Sequence, residues 1–286
     1  MKRIGILLLA LAALCACSQK PEKKVMARFV PERSDDFVFE NNLVAGRFYG
    51  QALEGNPTSP GIDIWVKLPG KLVADEWYKG FQTESDEYYH HDHGGKDCYK
   101  VAVSLGGGAS APLIDGDLRF PATNFRSWEI VQEDPDKVTF TLHYPEWEAA
   151  EGVKVALDKT VTVVPDTYFC DVEDCYTFTG KDSLVVAAGI NLHSALETVE
   201  REIALPTSVA VWERASDTTY EPEDGMIGVA VVMPEADYTF ITADGTHLVA
   251  TRRIVSGEPV RYSFGSCWSK GENKTADDWF KLVSQR

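Results

Sequence analysis

Positive charge, helix-forming stretches and paired cysteines are all scarce in this 286-residue chain. Lysine and arginine number 28 against 44 aspartates and glutamates, a net charge of −16. So acidic a chain repels nucleic acid and makes a polybasic membrane contact implausible. Six cysteines are present but no Cys-x-x-Cys pair, which argues against a thiolate zinc site. The longest apolar run, Ile4 to Leu14, falls short of the ~20 residues needed to span a bilayer. Gly106-Gly107-Gly108 lacks the lysine and following helix of a phosphate loop. Ser104, Ser110 and Ser194 have no nucleophile-elbow context, which disfavours a serine hydrolase. There is no internal repeat and no low-complexity tract.

The first residues read as an address. Lys2 and Arg3 precede the apolar run, which ends in Leu14-Cys15-Ala16-Cys17. That ending resembles a lipobox, with Cys17 as the cleaved and acylated residue. The expected organisation is a signal over 1–17, a polar tether over 18–30 and a body over 31–286. The expected location is the cell envelope of a Gram-negative bacterium, on the periplasmic face or the surface, with the membrane touched only through the lipid anchor. Loss of Lys2 and Arg3 leaves the mature chain near about −18. An acidic ligand must therefore meet a local cluster of arginine or lysine. Cys170 and Cys175 are separated by an odd number, so on one strand they face opposite ways and no bridge between them is expected.

Strand signals dominate the body. Phe37 to Phe39 and Leu43 to Tyr49 flank Glu40-Asn41-Asn42, a hairpin pattern. Ile62, Ile64 and Val66 alternate with Asp63, Trp65 and Lys67. Val153 to Val164 turns at Pro165-Asp166 and returns from Tyr168 to Phe178, and similar runs continue to Val260–Phe264. Helix is expected only at Val73 to Lys79 and after Thr275, where Asp277 and Asp278 supply first-turn acids. About a dozen strands without a break predict an all-β chain, one large antiparallel sandwich or barrel with a short C-terminal helix. Asp174 breaks the alternation by falling on the apolar face of its strand. It is read either as turned outward by a β-bulge near Glu173 or as an acid lining a concave sheet.

Tyr88 to Lys100 reads YYHHDHGGKDCYK and is the densest run of titratable groups. Gly94 and Gly95 make it a loop. In an extended segment His91 and His93 share a face and His90 and Asp92 the other, so one metal would take only a subset. No zinc spacing is present, and neither a metal nor another cofactor is expected. Acid–base work fits better: an imidazole moves a proton while a carboxylate fixes its tautomer. Catalytic candidates are His91, His93, Asp97 and Tyr99, against the alternatives of sugar binding or a hydrogen-bonded loop staple.

Several segments together resemble a family of exported bacterial proteins known as a domain of unknown function (DUF4861). The carrying residues are Glu32-Arg33, Asp35-Asp36-Phe37, Phe39-Glu40-Asn41, Gly61 to Lys67, Trp77-Tyr78 and Tyr89 to Val101. Gly106 to Gly108, Tyr144-Pro145, Trp147 and Gly265 with Cys267 to Lys270 complete the set. The resemblance implies a β-supersandwich like those of galactose mutarotases and polysaccharide lyases, working on pectin-like, uronate-bearing glycans. The family pattern at the histidines is His-x-Asp-His-Gly, an acid, Gly, then Asp-x-Tyr. Here Gly94 is followed directly by Gly95 and Lys96, without that acid. Under this reading Arg126 and Lys100 would meet a uronate carboxylate, Trp65, Trp77, Trp147 and Trp268 would offer stacking faces, and His193 would point into the groove. The expected partner is an oligosaccharide or polysaccharide. The expected activity is elimination at a uronate or hydrolysis using Asp97 with Asp174; the alternatives are glycan binding without turnover and sugar epimerisation.

Overall fold

The computed structural model describes residues 23–55, 60–193, 199–215 and 222–286. The leader, Cys17 and residues 18–22 of the expected tether lie outside the described residues. Among the described residues no helix is long and apolar enough to cross a membrane.

The described residues form three antiparallel sheets and two α-helices. The first runs in sequence order through β1 (Val25–Val30), β2 (Asp36–Asn41), β3 (Ala45–Phe48), β4 (Ile62–Lys67) and β5 (Gly95–Asp97). The third has the order β16 (Tyr238–Ile241), β17 (His247–Ile254), β12 (Leu184–Asn191), β6 (Gly107–Ile114), β7 (Asp117–Leu118). A parallel bridge between Ile62 and Gly106 joins these two sheets edge to edge. Both lie against one eight-stranded sheet. Its order is β13 (Val199–Leu205), β14 (Ser208–Arg214), β15 (Met226–Val232), β18 (Pro259–Trp268), β11 (Phe169–Thr179), β10 (Val153–Val163), β9 (Lys137–Ala150), β8 (Ser127–Asp134). The two layers share one apolar core that includes Phe39, Phe48, Ile64, Phe140, Val161, Ala188 and Phe264. The expected all-β sandwich is therefore met.

Alternation explains which face each residue takes. Ile62, Ile64 and Val66 enter the main core. Asp63, Trp65 and Lys67 take the other face but are buried as well, because helix α1 (Ala74–Thr83) covers it. Glu40 fixes the start of that helix by accepting the N–H groups of Val73 at 2.7 Å and Ala74 at 2.8 Å. A carboxylate suits the positive end of a helix, and Lys67 Nζ at 2.5 Å balances its charge. Helix α2 (Ala276–Ser284) opens with the expected cap: Thr275 Oγ1 accepts from Asp278 N–H, and Asp278 reaches back to Thr275 N–H.

Three expectations need correction. Residues 25–30 form β1, paired with β2 from Val25–Asn41 to Val30–Asp36, so the ordered body starts before residue 31. No bulge turns Asp174 outward, because β11 keeps unbroken register with β10 and β18. Nor does Asp174 line a groove. It is fully buried, salt-bridged to Lys159 Nζ at 2.6 Å and bonded by the hydroxyls of Tyr262 (3.1 Å) and Ser110. Cys98, Cys170, Cys175 and Cys267 are free thiols, and Cys170 is buried while Cys175 on the opposite face is not.

A buried pair of this kind is costly to break and cheap to replace whole. Lys159→Met should destabilise the chain by about 3–5 kcal/mol in urea unfolding, while Lys159→Met with Asp174→Leu should recover most of that loss. Equal losses in the single and double variants would show that the charges are not coupled.

Candidate functional site

The outer face of the first sheet collects Asp36, Arg47, Asp63 and Asp97, none of them exposed. Strand register puts Arg47 opposite Asp63 and Trp65 opposite Asp97. Arg47 Nε donates to Asp63 Oδ2 at 2.7 Å and Nη2 donates to Asp97 Oδ2 at 2.7 Å. Nη1 stands 3.5 Å from Asp36 Oδ2. The guanidinium lies over the rings of Tyr89 (5.2 Å), Tyr49 (5.3 Å) and Trp65 (5.5 Å). Burial works against the cation, but the carboxylates of Asp63, Asp97 and Asp36 outweigh it and hold the guanidinium well above its usual pKa. Burial pushes Asp36 up to about 6, against the pull of Arg47 and Arg33. The sequence pattern missed this cluster. Its signal was a tryptophan, Trp65, on the polar face of an alternating strand.

The histidine segment closes over this cluster. Tyr88–His90 form one 3-10 turn, with Tyr89 packed on Trp65 and hydrogen-bonded by Arg33 Nε at 3.2 Å. His90 Nδ1 lies 3.2 Å from the Asp97 carbonyl. The His93 ring stacks on Tyr88 at 3.8 Å, half-buried, and His91 is exposed. Asp92 accepts the N–H groups of Gly94 and Gly95 through Oδ1 and the Lys270 ammonium at 2.8 Å through Oδ2. Burial alone would raise its carboxyl; Lys270 and the two N–H groups bring it below the usual range. Lys270 also sits 4.4 Å over the Trp268 ring. Trp268 Nε1 donates to the Asp224 carbonyl, and the Asp224 carboxylate takes Lys96 Nζ at 2.6 Å.

Tyr99, Lys100 and His193 meet at a second point. Tyr99 is buried, its hydroxyl donating to the carbonyls of Gly106 (3.2 Å) and Asn191 (3.3 Å), and burial raises it well above its usual pKa. The edge of its ring faces His193 at 5.0 Å. His193 Nε2 is 2.6 Å from the Lys100 carbonyl, which can only accept, and Nδ1 is 2.9 Å from the Glu213 carboxylate. Asn191 Nδ2 also lies 3.0 Å from Nε2, so the ring's donor and acceptor roles follow its protonation, and the imidazolium is the form that donates to both oxygens. Burial opposes that charge, while the hydrogen bond and charge of Glu213 overcome it and raise the pKa. At the other end of the same loop, Leu105 N–H donates to His247 Nε2 at 3.2 Å, which requires an unprotonated nitrogen. Burial lowers His247 to about 4.

The structure thus sorts the expected residues. Asp97 is an internal anchor, and Tyr99, His193 and the Lys100 backbone form a joint between sheets; His91 and His93 remain open to solvent. Trp65, Trp77, Trp147 and Trp268 are core residues, at most 6 % exposed, and offer no stacking face. Arg126 stands on the far edge of the eight-stranded sheet. Its strand β8 is separated from β18 by β11, β10 and β9, a span of about 19 Å. It is paired there with both carboxylate oxygens of Glu54. Asp97 and Asp174 belong to different layers, each salt-bridged to its own buried cation, Arg47 and Lys159. Cys17 lies outside the described residues. Among those residues no group of three histidine, cysteine or acidic side chains is placed to hold a metal.

The architecture defines an antiparallel β-sandwich protein with a histidine-bearing rim. The chain belongs to the family described as "Domain of unknown function (DUF4861)", whose pattern matches residues 15–286. Uncharacterized protein P7 of Formosa agariphila is 30% identical over 276 residues, 91% of this chain and 66% of P7. The chain thus spans slightly less than two thirds of that relative. Among solved structures, the galactosidase domain of alpha-galactosidase-sucrose kinase AgaSK is similar at 9% identity, TM-score 0.41, over 85% of this chain and 42% of that one. The 4-alpha-glucanotransferase of Thermococcus litoralis is similar at 10% identity, TM-score 0.33, over 87% and 40%. Neither likeness is close enough to carry an inference about chemistry.

The two histidines bracket a pH window. His193, raised in the fold, contributes stability that is present below pH 6.5 and is lost as pH rises through its folded value. His247, lowered in the fold, contributes stability that is present above 6.5 and is lost as pH falls through about 4. In melting curves across this range, Glu213→Gln should lower Tm more at about pH 6 than at about pH 9. An equal drop at both values would show that His193 is not charged in the native state.

Proposed function

We propose that this protein eliminates uronate-bearing oligosaccharides at the rim where the histidine segment meets the ends of β15 and β18. The observation that carries the reading is the gathering of Lys96, Lys270, His91, His93 and Tyr88 on one rim of an otherwise acidic chain. Lys96 and Lys270 are each held by a carboxylate, so a substrate carboxylate can enter by displacing Asp224 or Asp92. Neutralising the uronate makes its C5 proton more acidic. His93, steadied against Tyr88, takes that proton. The C5–H electron pair becomes the C4–C5 double bond, the C4–O bond breaks, and His91 protonates the departing oxygen. Hydrolysis is the weaker reading, because Asp97 and Asp174 are both committed to buried cations.

The test follows absorbance near 235 nm and product mass on oligogalacturonates. New absorbance with no added water is expected, and His93→Ala should slow it by about 10²-fold or more while sparing binding. A product heavier by one water would overturn elimination in favour of hydrolysis. Undiminished turnover in His93→Ala and His91→Ala would overturn the site. Binding without turnover would leave a glycan-binding protein.

A further inference from the structure

We propose that the groove on either side of Trp128 is a second saccharide site, separate from the histidine rim and selective for neutral glycan segments. It rests on the reading that this protein handles saccharides. Trp128 is 41% exposed, whereas the other six indoles of the chain are buried. Its ring is held rather than loose: it stacks on Phe29 at 5.6 Å with an interplanar angle of 22° and leans on Phe37 at 5.5 Å. A rigid, backed, outward indole is the surface that the apolar face of a pyranose ring covers. Two clefts of about 620 and 290 Å³ share Phe29 and Trp128 between them. Their sizes are near or within the range of small-molecule sites, and the platform lies where two such spaces meet, as a chain of sugars would require.

The polar edges are planar and mutually fixed. Arg126 is gripped by both oxygens of Glu54 at one end, and Arg28 bonds Asp75 at 2.8 Å and Glu32 at 2.8 Å at the other. Such pairs offer fixed donors and acceptors to adjacent sugar hydroxyls. The charge balance decides which sugars. The clefts are lined by Lys23, Arg28 and Arg126 against Glu133, Asp75 and Asp35, and Glu32 and Glu54 hold Arg28 and Arg126 from just outside them. Every cation of the groove is thus already taken by a carboxylate, Arg28 by two and Arg126 by both oxygens of one, so none is left to hold a uronate. The two sites would take different parts of one mixed glycan.

The single exposed indole makes the test direct. The full chain is titrated with neutral β-1,4-linked hexasaccharides (gluco-, xylo-, manno- and galacto-) and with hexagalacturonate, following tryptophan emission and migration in glycan-containing native gels. At least one neutral hexasaccharide should shift the emission, and hexagalacturonate should not do so through Trp128. Trp128→Ala should abolish the shift and weaken binding by about tenfold, while Trp128→Phe keeps binding and loses the signal. Turnover of oligogalacturonate at the rim should be unchanged in both variants, and each should still melt in one cooperative transition above the assay temperature, Trp128→Ala lower than Trp128→Phe. Neutral binding that survives Trp128→Ala intact overturns the site while leaving the rim untouched. An emission that changes with protein concentration and not with sugar overturns it in favour of self-association. Absence of any glycan binding overturns both the groove and the function it rests on.

Discussion

The buried Arg47 guanidinium is the contact on which the site depends. A cation in an apolar layer is tolerable only with charge and hydrogen bonds around it, and Arg47 draws these from three strands at once. Asp36, Asp63 and Asp97 come from β2, β4 and β5. A guanidinium suits the task better than an ammonium because its planar fork reaches two carboxylates in one plane while its faces meet aromatic rings. Strand β5 has only three residues and little ladder to hold it. Its ion pair with Arg47 at 2.7 Å is what ties the histidine segment to the first sheet. Tyr89 then packs over the guanidinium, so the turn bearing His90 and His91 takes its position from a charge buried beneath it.

Strand periodicity made most of the sandwich readable. The runs at Phe37–Phe39, Ile62–Lys67, Val153–Val164 and Tyr168–Phe178 alternate because one face of each meets the shared core. Strand β8 is not legible for the opposite reason: every residue in Ser127–Asp134 is exposed or half-exposed, so no alternation marks it. β1 was hidden by its place next to a polar tether. Burial of the outer face of the first sheet is not legible in the alternation, because coverage by α1 is a tertiary fact that no strand pattern contains. Asp174 was more legible than it was taken to be. Lys159 and Asp174 lie at nearly equal distances from the turn at Pro165-Asp166, and hairpin register alone sets them opposite one another.

The grouping of Arg126 with the histidines failed for a related reason. A sequence places residues on strands but not strands within a sheet, and here β8 and β18 are held apart by three intervening strands. That separation also divides the electrostatics. At the histidine rim Lys96 and Lys270 stand against Asp224 and Asp92, and around Trp128 Lys23, Arg28 and Arg126 stand against Glu133, Asp75 and Asp35. A chain of net charge −16 can attract an anionic ligand only where such local cancellation occurs.

The run from Tyr88 to Lys100 is best understood as two halves with different duties. From Asp97 onward its groups are used up internally: Asp97 on Arg47, the Tyr99 hydroxyl on two carbonyls, the Lys100 carbonyl on His193. Groups so committed have little capacity left for a substrate, and burial holds the Tyr99 proton in place. Before Gly94 the reverse holds, since the His91 and His93 rings reach solvent. The glycines make the division possible. Gly94 and Gly95 both have left-handed backbone, φ +85° and +151°, and a Cβ on Gly95 would stand 2.3 Å from the Val66 carbonyl oxygen. Only glycine lets the chain leave the exposed turn and enter β5 this tightly against β4. The anchored half thereby fixes the direction in which the exposed half presents its imidazoles, which is how so short a segment can be both a structural tie and a reactive edge.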